Sequence, residues 1–317
     1  MNRELLDPFA QDYPENLSQS LHQYKASCIQ FSSSGAYLAA GTVEGYIVIW
    51  DFETFGVYRT LINHTRIVNR VTWSPCEEYL LSSSGDWRCI LWNGDKPIHK
   101  QLFPSRVGEA DLHVDLNRRI AWYLACVYED KCYMVEVDLN TGKSERHILG
   151  GPDYPSFSSS SSLNDDDDGT VLVAKFDPTG KFVYSGSSKG VFAIHNAQTR
   201  ETLKQFPLCT SKIMTMRLST NGQDMAINSS DRIVRVVTLP RPDEDSLDVQ
   251  QKYQDLVNKL QWLSCGFSTS GDYIWASAAK TKDIYIWERE VGSLLKILEG
   301  PRDILIDADV CHYKKGK

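Results

Sequence analysis

Four residues near the start of the chain have the types that hydrolases use. His64, Ser82 and Asp86 could serve as the base, the nucleophile and the orienting acid of a Ser-His-Asp site, and Trp92 follows shortly after them. No Gly-x-Ser-x-Gly turn surrounds Ser82, and no motif that would supply oxyanion donors accompanies it. The elements that carry these residues therefore decide between a catalytic and a structural role.

Those elements form a repeated pattern. The segments Phe31–Trp50, Trp73–Trp92, Phe176–His195 and Leu218–Val237 each join two positions that are 19 residues apart. The first two segments start 42 residues apart, and so do the last two. Each segment holds runs of β-branched and aromatic residues separated by turn residues, which predicts short strands. A period of about 40–45 residues is typical of WD repeats, in which each repeat forms one four-stranded propeller blade.

We therefore predict an all-β fold, a WD-repeat β-propeller of the seven-bladed type. A degenerate third repeat is expected near residues 107–138, and the sixth covers Phe267–Trp287. A seventh should start near Val310, where seven residues remain and about 19 would be needed, so the seventh blade is predicted to be incomplete at the C-terminus. The whole chain, 1–317, is predicted to be a single propeller domain with a Ser/Asp-rich insert at 151–169 and an acidic loop at 239–248.

The repeat assignment also gives the four polar residues a structural role. In WD repeats, an aspartate in a turn and a serine in the second strand are bridged through a histidine to a tryptophan. We therefore predict that His64, Ser82, Asp86 and Trp92 form a structural tetrad, that Asp231 repeats the turn aspartate in blade five, and that the chain has no catalytic residues and is not an enzyme.

Composition limits the other function classes. The net charge of −7 gives no overall attraction to nucleic acid, although a local basic patch would be compatible with it. The eight cysteines contain no Cys-x-x-Cys and indicate reduced thiols in a cytosolic or nuclear protein. The seven histidines lack metal-ligand spacing, no glycine loop for phosphates occurs, and no apolar run reaches about 18 residues. We expect no metal, no cofactor, no small-molecule substrate and no membrane contact.

Basic residues cluster in the loops of the last repeats. The loop that leads into a blade and the turn between its second and third strands lie on one face of a propeller. Arg232, Lys280 and Lys282 fall in such turns, and Lys259 and Arg302 fall in leading loops. They should share one rim, and Arg232, Lys259, Lys280 and Arg302 are candidates for contact with the phosphates of nucleosomal DNA.

Longer strings resemble a particular family. ELLDPFAQDYPE, AINSSDRIVRVV, KYQDLVNKLQW and IYIWEREVGSLLKILEG resemble the retinoblastoma-binding protein five family, the WD-repeat subunit of COMPASS and mixed-lineage-leukaemia type histone methyltransferase complexes. The resemblance implies a nuclear, non-catalytic scaffold that helps a SET-domain subunit methylate a lysine of histone H3. It also implies partners among the other COMPASS-type subunits and a rim that meets the nucleosome, both its DNA backbone and its histones, with Arg232, Lys259 and Arg302 as the matching positions.

A second function class fits the generic repeat pattern. A WD-repeat adaptor, such as the substrate receptor of a ubiquitin ligase, would use the same blades. The strings between Asp231 and Arg302 have no role in that alternative, so the scaffold of a chromatin-modifying complex is the leading prediction.

Overall fold

The structure is a computed structural model that describes residues 24–150, 170–240, 244, 246–300 and 305–311. The predicted insert at 151–169 lies outside the described residues, as do Arg302 and part of the predicted acidic loop. Within the described part of the chain, no helix is long and apolar enough to cross a membrane.

The described strands form six four-stranded antiparallel sheets, which we number as blades one to six in chain order. In every blade, consecutive strands are neighbours, so each sheet is a simple meander. The strands are β1 (Ala26–Phe31), β2 (Tyr37–Thr42), β3 (Tyr46–Asp51) and β4 (Gly56–Ile62) in blade one; β5 (Val68–Trp73), β6 (Tyr79–Ser84), β7 (Arg88–Asn93) and β8 (Lys96–Leu102) in blade two; β9 (Val107–Asp115), β10 (Ile120–Val127), β11 (Cys132–Asp138) and β12 (Ser144–Ile148) in blade three; β13 (Val171–Phe176), β14 (Phe182–Ser187), β15 (Val191–Asn196) and β16 (Thr202–Pro207) in blade four; β17 (Ile213–Leu218), β18 (Asp224–Ser229), β19 (Val234–Thr238) and β20 (Asp248–Tyr253) in blade five; and β21 (Trp262–Phe267), β22 (Tyr273–Ala278), β23 (Ile284–Glu288) and β24 (Leu294–Leu298) in blade six.

The register of the sheets explains the 19-residue interval. In blade two, Trp73 pairs with Leu80, and Leu80 pairs with Trp92, so the two ends of the interval lie in one row across three strands. Blade one has the same row, in which Phe31 and Trp50 both pair with Leu38. Because β-strand register fixes which side chains share a face, the interval records the hairpin lengths of the blade.

The hydrophobic core lies between consecutive blades. One cluster joins Ile47 and Ile49 of blade one to Val71 of blade two, and another joins Leu81 of blade two to Tyr123 of blade three. Comparable clusters connect blades three and four, four and five, and five and six. The side chains of one sheet thus cover the apolar face of the next, which is how a propeller buries apolar surface from short strands.

The predicted blade count of seven was wrong. The described residues contain six sheets, and residues 305–311, where a seventh blade was predicted to start, form no strand. That segment lies against blade one, where Asp307 and Asp309 accept hydrogen bonds from the backbone N–H groups of Ile29 and Phe31 at 3.1 and 2.9 Å. Carboxylates therefore satisfy β1 donors without a backbone ladder, and a sheet requires such a ladder.

Candidate functional site

The four polar residues of blade two are joined by hydrogen bonds. Trp92 Nε1 lies 2.9 Å from Ser82 Oγ, Ser82 Oγ lies 2.8 Å from His64 Nε2, and His64 Nδ1 lies 3.0 Å from Asp86 Oδ2. The indole can only donate and an ionised carboxylate can only accept. Trp92 therefore donates to Ser82 and His64 donates to Asp86, and the Ser82 hydroxyl has two acceptors within reach, His64 Nε2 and, at 3.4 Å, the Ile90 carbonyl.

The connectivity of serine, histidine and aspartate resembles that of a hydrolytic triad, but the surroundings differ. Ser82 lies inside β6 and is fully buried, and its hydroxyl oxygen is occupied by the Trp92 indole. A nucleophile must reach a substrate carbonyl and have oxyanion donors beside it. The network instead connects a leading loop, through His64, to the second and third strands of the blade.

Blade four keeps the serine of this network and has histidine in place of the tryptophan. His195 lies where blade two has Trp92, and its Nε2 is 2.7 Å from Ser185 Oγ, while Thr202 Oγ1 is 3.1 Å from its Nδ1. Burial lowers the pKa of His195 to about 4, so the ring is neutral at physiological pH. Sequence reasoning missed this pair, although His195 at the position of a repeat tryptophan was a signal for it.

Blade five anchors its turn aspartate with an arginine. Arg235 Nη1 donates to Asp231 Oδ1 at 3.1 Å and to Ser229 Oγ at 2.6 Å, and Arg235 Nη2 also contacts the Asp231 carboxylate. Arg235 is 5% exposed and occupies the place that Ile90 has in blade two. An arginine within the apolar run of β19 was the sequence signal, and it was overlooked.

Both turn aspartates are held in the ionised state. Burial alone would raise the pKa of Asp86, but hydrogen bonds from His64 and from the backbone N–H groups of Thr65 and Arg88 outweigh burial and lower it. Burial likewise opposes the ionised form of Asp231, and the contacts with Arg235 and Ser229 lower its pKa. Since both folded pKa values lie below the usual range, these interactions stabilise the fold above about pH 4 and are lost below it.

The leading loops and the turns between second and third strands lie on one end of the molecule, which we call the loop face. In blade two, the Gly85 N–H donates to the Ile67 carbonyl at 2.9 Å. In blade six, the Ala279 N–H donates to the Gln261 carbonyl at 2.9 Å. These hydrogen bonds hold each turn against the loop that leads into the same blade.

The predicted basic residues that the structure describes are neighbours on the loop face. Trp262 Nε1 donates to the Arg232 carbonyl at 3.0 Å, which joins the turn of blade five to the start of blade six. Lys259 lies three residues before Trp262, and Lys280 follows Ala279, whose N–H reaches the same leading loop. Arg232, Lys259 and Lys280 are exposed, and no ion pair joins them to any described residue.

Lys282 is half-buried in the same turn of blade six, and Arg302 lies outside the described residues. Among described residues, no group of three or more histidine, cysteine, aspartate or glutamate side chains could hold a metal ion.

The six meander sheets of the described residues, with a Ser-His-Asp-Trp network in one of them, define the class of protein: a WD-repeat β-propeller. A family model described as "WD domain, G-beta repeat" matches residues 16–51 and 56–93. The "Set1 complex component swd1" of Schizosaccharomyces pombe is 38% identical over 98% of this chain and 77% of the relative. The chain belongs to the family of Swd1 and retinoblastoma-binding protein 5, which confirms the resemblance found in its strings.

Two further comparisons support the family. The "Retinoblastoma-binding protein 5 homolog" of Drosophila melanogaster is 33% identical over 97% of this chain and 61% of the relative. The crystal structure of the Cps50 (Swd1) β-propeller domain of Myceliophteria thermophila superposes with a TM-score of 0.85 at 30% identity, covering 95% of this chain and 94% of that one.

Proposed function

We propose that this protein is a nuclear, non-catalytic scaffold subunit of a Set1-type (COMPASS-like) histone H3 lysine methyltransferase complex. The observation that carries the proposal is 38% identity, over 98% of the chain, to a relative named as a Set1 complex component. The alternative, a substrate receptor of a ubiquitin ligase, has no comparable support, because relatives that match nearly the whole chain carry Swd1 and retinoblastoma-binding protein names.

The geometry of blade two supports a non-catalytic role. The one constellation with the connectivity of a hydrolytic site in the described residues is buried, and its serine is engaged by an indole. The packed sheets of a propeller offer rigid surfaces, and such surfaces suit the binding of several partners at once.

Companion subunits provide the test of complex membership. The tagged protein is expressed at its native level, purified under mild conditions, and its companions are identified by mass spectrometry. We expect a SET-domain methyltransferase in stoichiometric amount. Recovery of a cullin adaptor in its place would replace the scaffold assignment with the ligase alternative.

The same proposal includes nucleosome contact through the loop face. Arg232, Lys259 and Lys280 are exposed neighbours without acidic partners among described residues, and DNA phosphates bind such charges through counterion release. Arg302 is included as the fourth candidate on the strength of its sequence position alone.

Charge reversal tests the nucleosome contact. Replacing Arg232, Lys259 and Lys280 by glutamate should weaken nucleosome binding and reduce the slope of log K against log salt by about 0.9 for each lost phosphate contact. The matched control reverses Arg118, Lys143 and Lys181, which lie in turns at the opposite end of the blades and change the net charge equally. Equal effects of the two triple variants on binding would mean that overall charge, and not the loop face, governs the contact.

A further inference from the structure

A bulky residue occupies a backbone position that two other blades give to glycine. The residue after the turn aspartate of blade two, Trp87, has a φ of 70° and is 48% exposed. The corresponding residues of blades one and four are Gly45 and Gly190, with φ of 94° and 81°. A left-handed backbone is unfavourable for a large L-residue, and such outliers are concentrated at functional sites.

Other apolar side chains are exposed beside Trp87. Ile67 is 39% exposed in the leading loop of blade two, Leu102 is 57% exposed at the end of β8, and Tyr128 is 46% exposed in the turn of blade three. Single exposed apolar residues are ordinary, but several from adjoining loops form a candidate contact surface.

Backbone contacts show that these loops adjoin. The Gly85 N–H donates to Ile67 O, and the Phe103 N–H, next to Leu102, donates to Trp87 O at 2.8 Å. Within blade three, the Tyr128 N–H donates to Arg106 O at 2.9 Å, and Arg106 lies three residues after Phe103 along the chain. The exposed side chains therefore follow one another around the loop face.

Arginines lie among these apolar side chains. Arg88 is exposed and pairs directly with Leu102 across β7 and β8. The guanidinium of Arg106 lies 3.8 Å from the centre of the Tyr128 ring, and exposed Arg66 adjoins Ile67. Three arginines thus lie next to these apolar side chains, together with the exposed Glu129 that follows Tyr128, in a protein whose net charge is −7.

This combination indicates the chemistry of a partner. Guanidinium groups bind carboxylates in a bidentate manner, and Trp, Tyr and Arg are the residue types that most often carry the binding energy of an interface. Trp87 and Tyr128 are rings on which nucleobases could stack, but Ile67 and Leu102 between them are aliphatic and offer no such ring, and this mixed lining favours a peptide over single-stranded nucleic acid.

We propose that this surface binds an acidic peptide segment of another protein, a segment with apolar side chains between its carboxylates. The surface, which we call the Trp87 surface, consists of Ile67, Trp87, Arg88, Leu102, Arg106 and Tyr128. His64 supports the surface from below, because the Asp86 carboxylate that it contacts also accepts the Arg88 N–H at 3.1 Å and so fixes the turn that presents Trp87. The surface is distinct from Arg232, Lys259 and Lys280, which lie on blades five and six.

Selection from a random peptide library tests the proposal. Displayed twelve-residue peptides are selected on the full chain and counter-selected on the Trp87→Gly variant, in which glycine removes the side chain and accommodates the positive φ. Enriched peptides should be acidic and contain apolar residues. Enrichment of neutral or basic peptides, or of none that survive counter-selection, would overturn the proposal.

The affinity of the most enriched peptide is then measured for three variants of the protein. Trp87→Gly and Arg106→Glu should each weaken binding at least 10-fold, while Phe55→Gly should leave it within about 2-fold, with thermal melting confirming that all three fold. Phe55 is an exposed aromatic residue with a φ of 53° in the turn between β3 and β4, at the opposite end of the blades. A single-stranded oligonucleotide that binds more tightly and depends on Trp87 would assign the surface to nucleic acid. A Trp87-dependent dimer in sedimentation would assign it to a second copy of the chain.

Discussion

Blades two and five build the same turn and present different chemistry on it. Each has an aspartate followed by an exposed residue with a φ of 70°, which is Trp87 in blade two and Arg232 in blade five. Asp86 is bound by His64 from the leading loop, whereas Asp231 is bound by Arg235 from the third strand of its own blade. Either side chain can fix the turn, so the residue that follows the aspartate can differ between the two blades.

Among the substitutions that test this comparison, removal of the arginine of blade five should cause the largest loss in the free energy of unfolding. Arg235→Ile introduces the residue that blade two has at this position and leaves the partly buried Asp231 carboxylate without its counter-charge. We expect a loss of about 2–3 kcal/mol in the free energy of unfolding, below the full value for a buried pair because Asp231 keeps some solvent. Urea denaturation measures it. The double variant with Asp231→Asn should recover part of the loss, and full additivity would show that the two side chains are not coupled.

The stability contributed by blade four should depend on pH, because it has His195 where blade two has Trp92. The folded pKa of His195 is about 4, below the ordinary value of 6.5, so the unfolded chain takes up a proton that the folded chain excludes. Stability should therefore fall as pH decreases from 7 to 5, by about 2 kcal/mol from this residue. Urea titrations at both pH values check this. His195→Trp, which introduces the residue of blade two, should flatten the dependence, and an unchanged slope would exclude His195 as its source.

Loss of the indole hydrogen bond of blade two should lower the free energy of unfolding by a smaller amount. Trp92→Phe removes the donor to Ser82 Oγ, and Trp50→Phe in blade one removes the same ring where Ala40 stands in place of the serine. The difference between the two losses in the free energy of unfolding should be about 1 kcal/mol, the usual net contribution of one buried hydrogen bond. Equal losses would mean that ring packing alone accounts for the tryptophan.

Glycine at the turn position should have the smallest effect on stability. Trp87→Gly and Arg232→Gly relieve the left-handed backbone but give the unfolded chain more freedom, so the two effects offset each other to within about 0.5 kcal/mol. Thermal melting measures the change. A loss above about 1.5 kcal/mol in either variant would show that the side chain is part of the fold and not of a binding surface.

Space explains why only some blades can present a side chain here. A Cβ at Gly45 would lie 2.6 Å from the His64 carbonyl, and one at Gly190 would lie 2.2 Å from the Cys209 carbonyl. The loop leading into the next blade passes close to those two turns, so they require glycine. In blades two and five the same position holds Trp87 and Arg232, so those turns accommodate a side chain.

Much of the fold was predictable because the spacing of apolar and aromatic residues along the chain reflects the hairpin lengths of the blades. The interval from Trp73 to Trp92 fixed a row of the sheet, and the recurrence of that interval indicated similar blades. The count of seven failed because residues 305–311 supply carboxylates to blade one and form no strand. Periodicity reports residues that alternate between faces, and it carries little information about a short irregular segment.

The sequence by itself determined the repeated sheets, the membership of His64, Ser82, Asp86 and Trp92 in one repeat, and the family strings, because each depends on spacing along the chain. Only the tertiary structure decided that Arg235 takes the role of His64 in blade five, that His195 bonds Ser185, and that the Arg106 guanidinium packs over the Tyr128 ring. Those relations join residues across strands and between blades, where distance in space is set by sheet register and by the packing of one blade on the next.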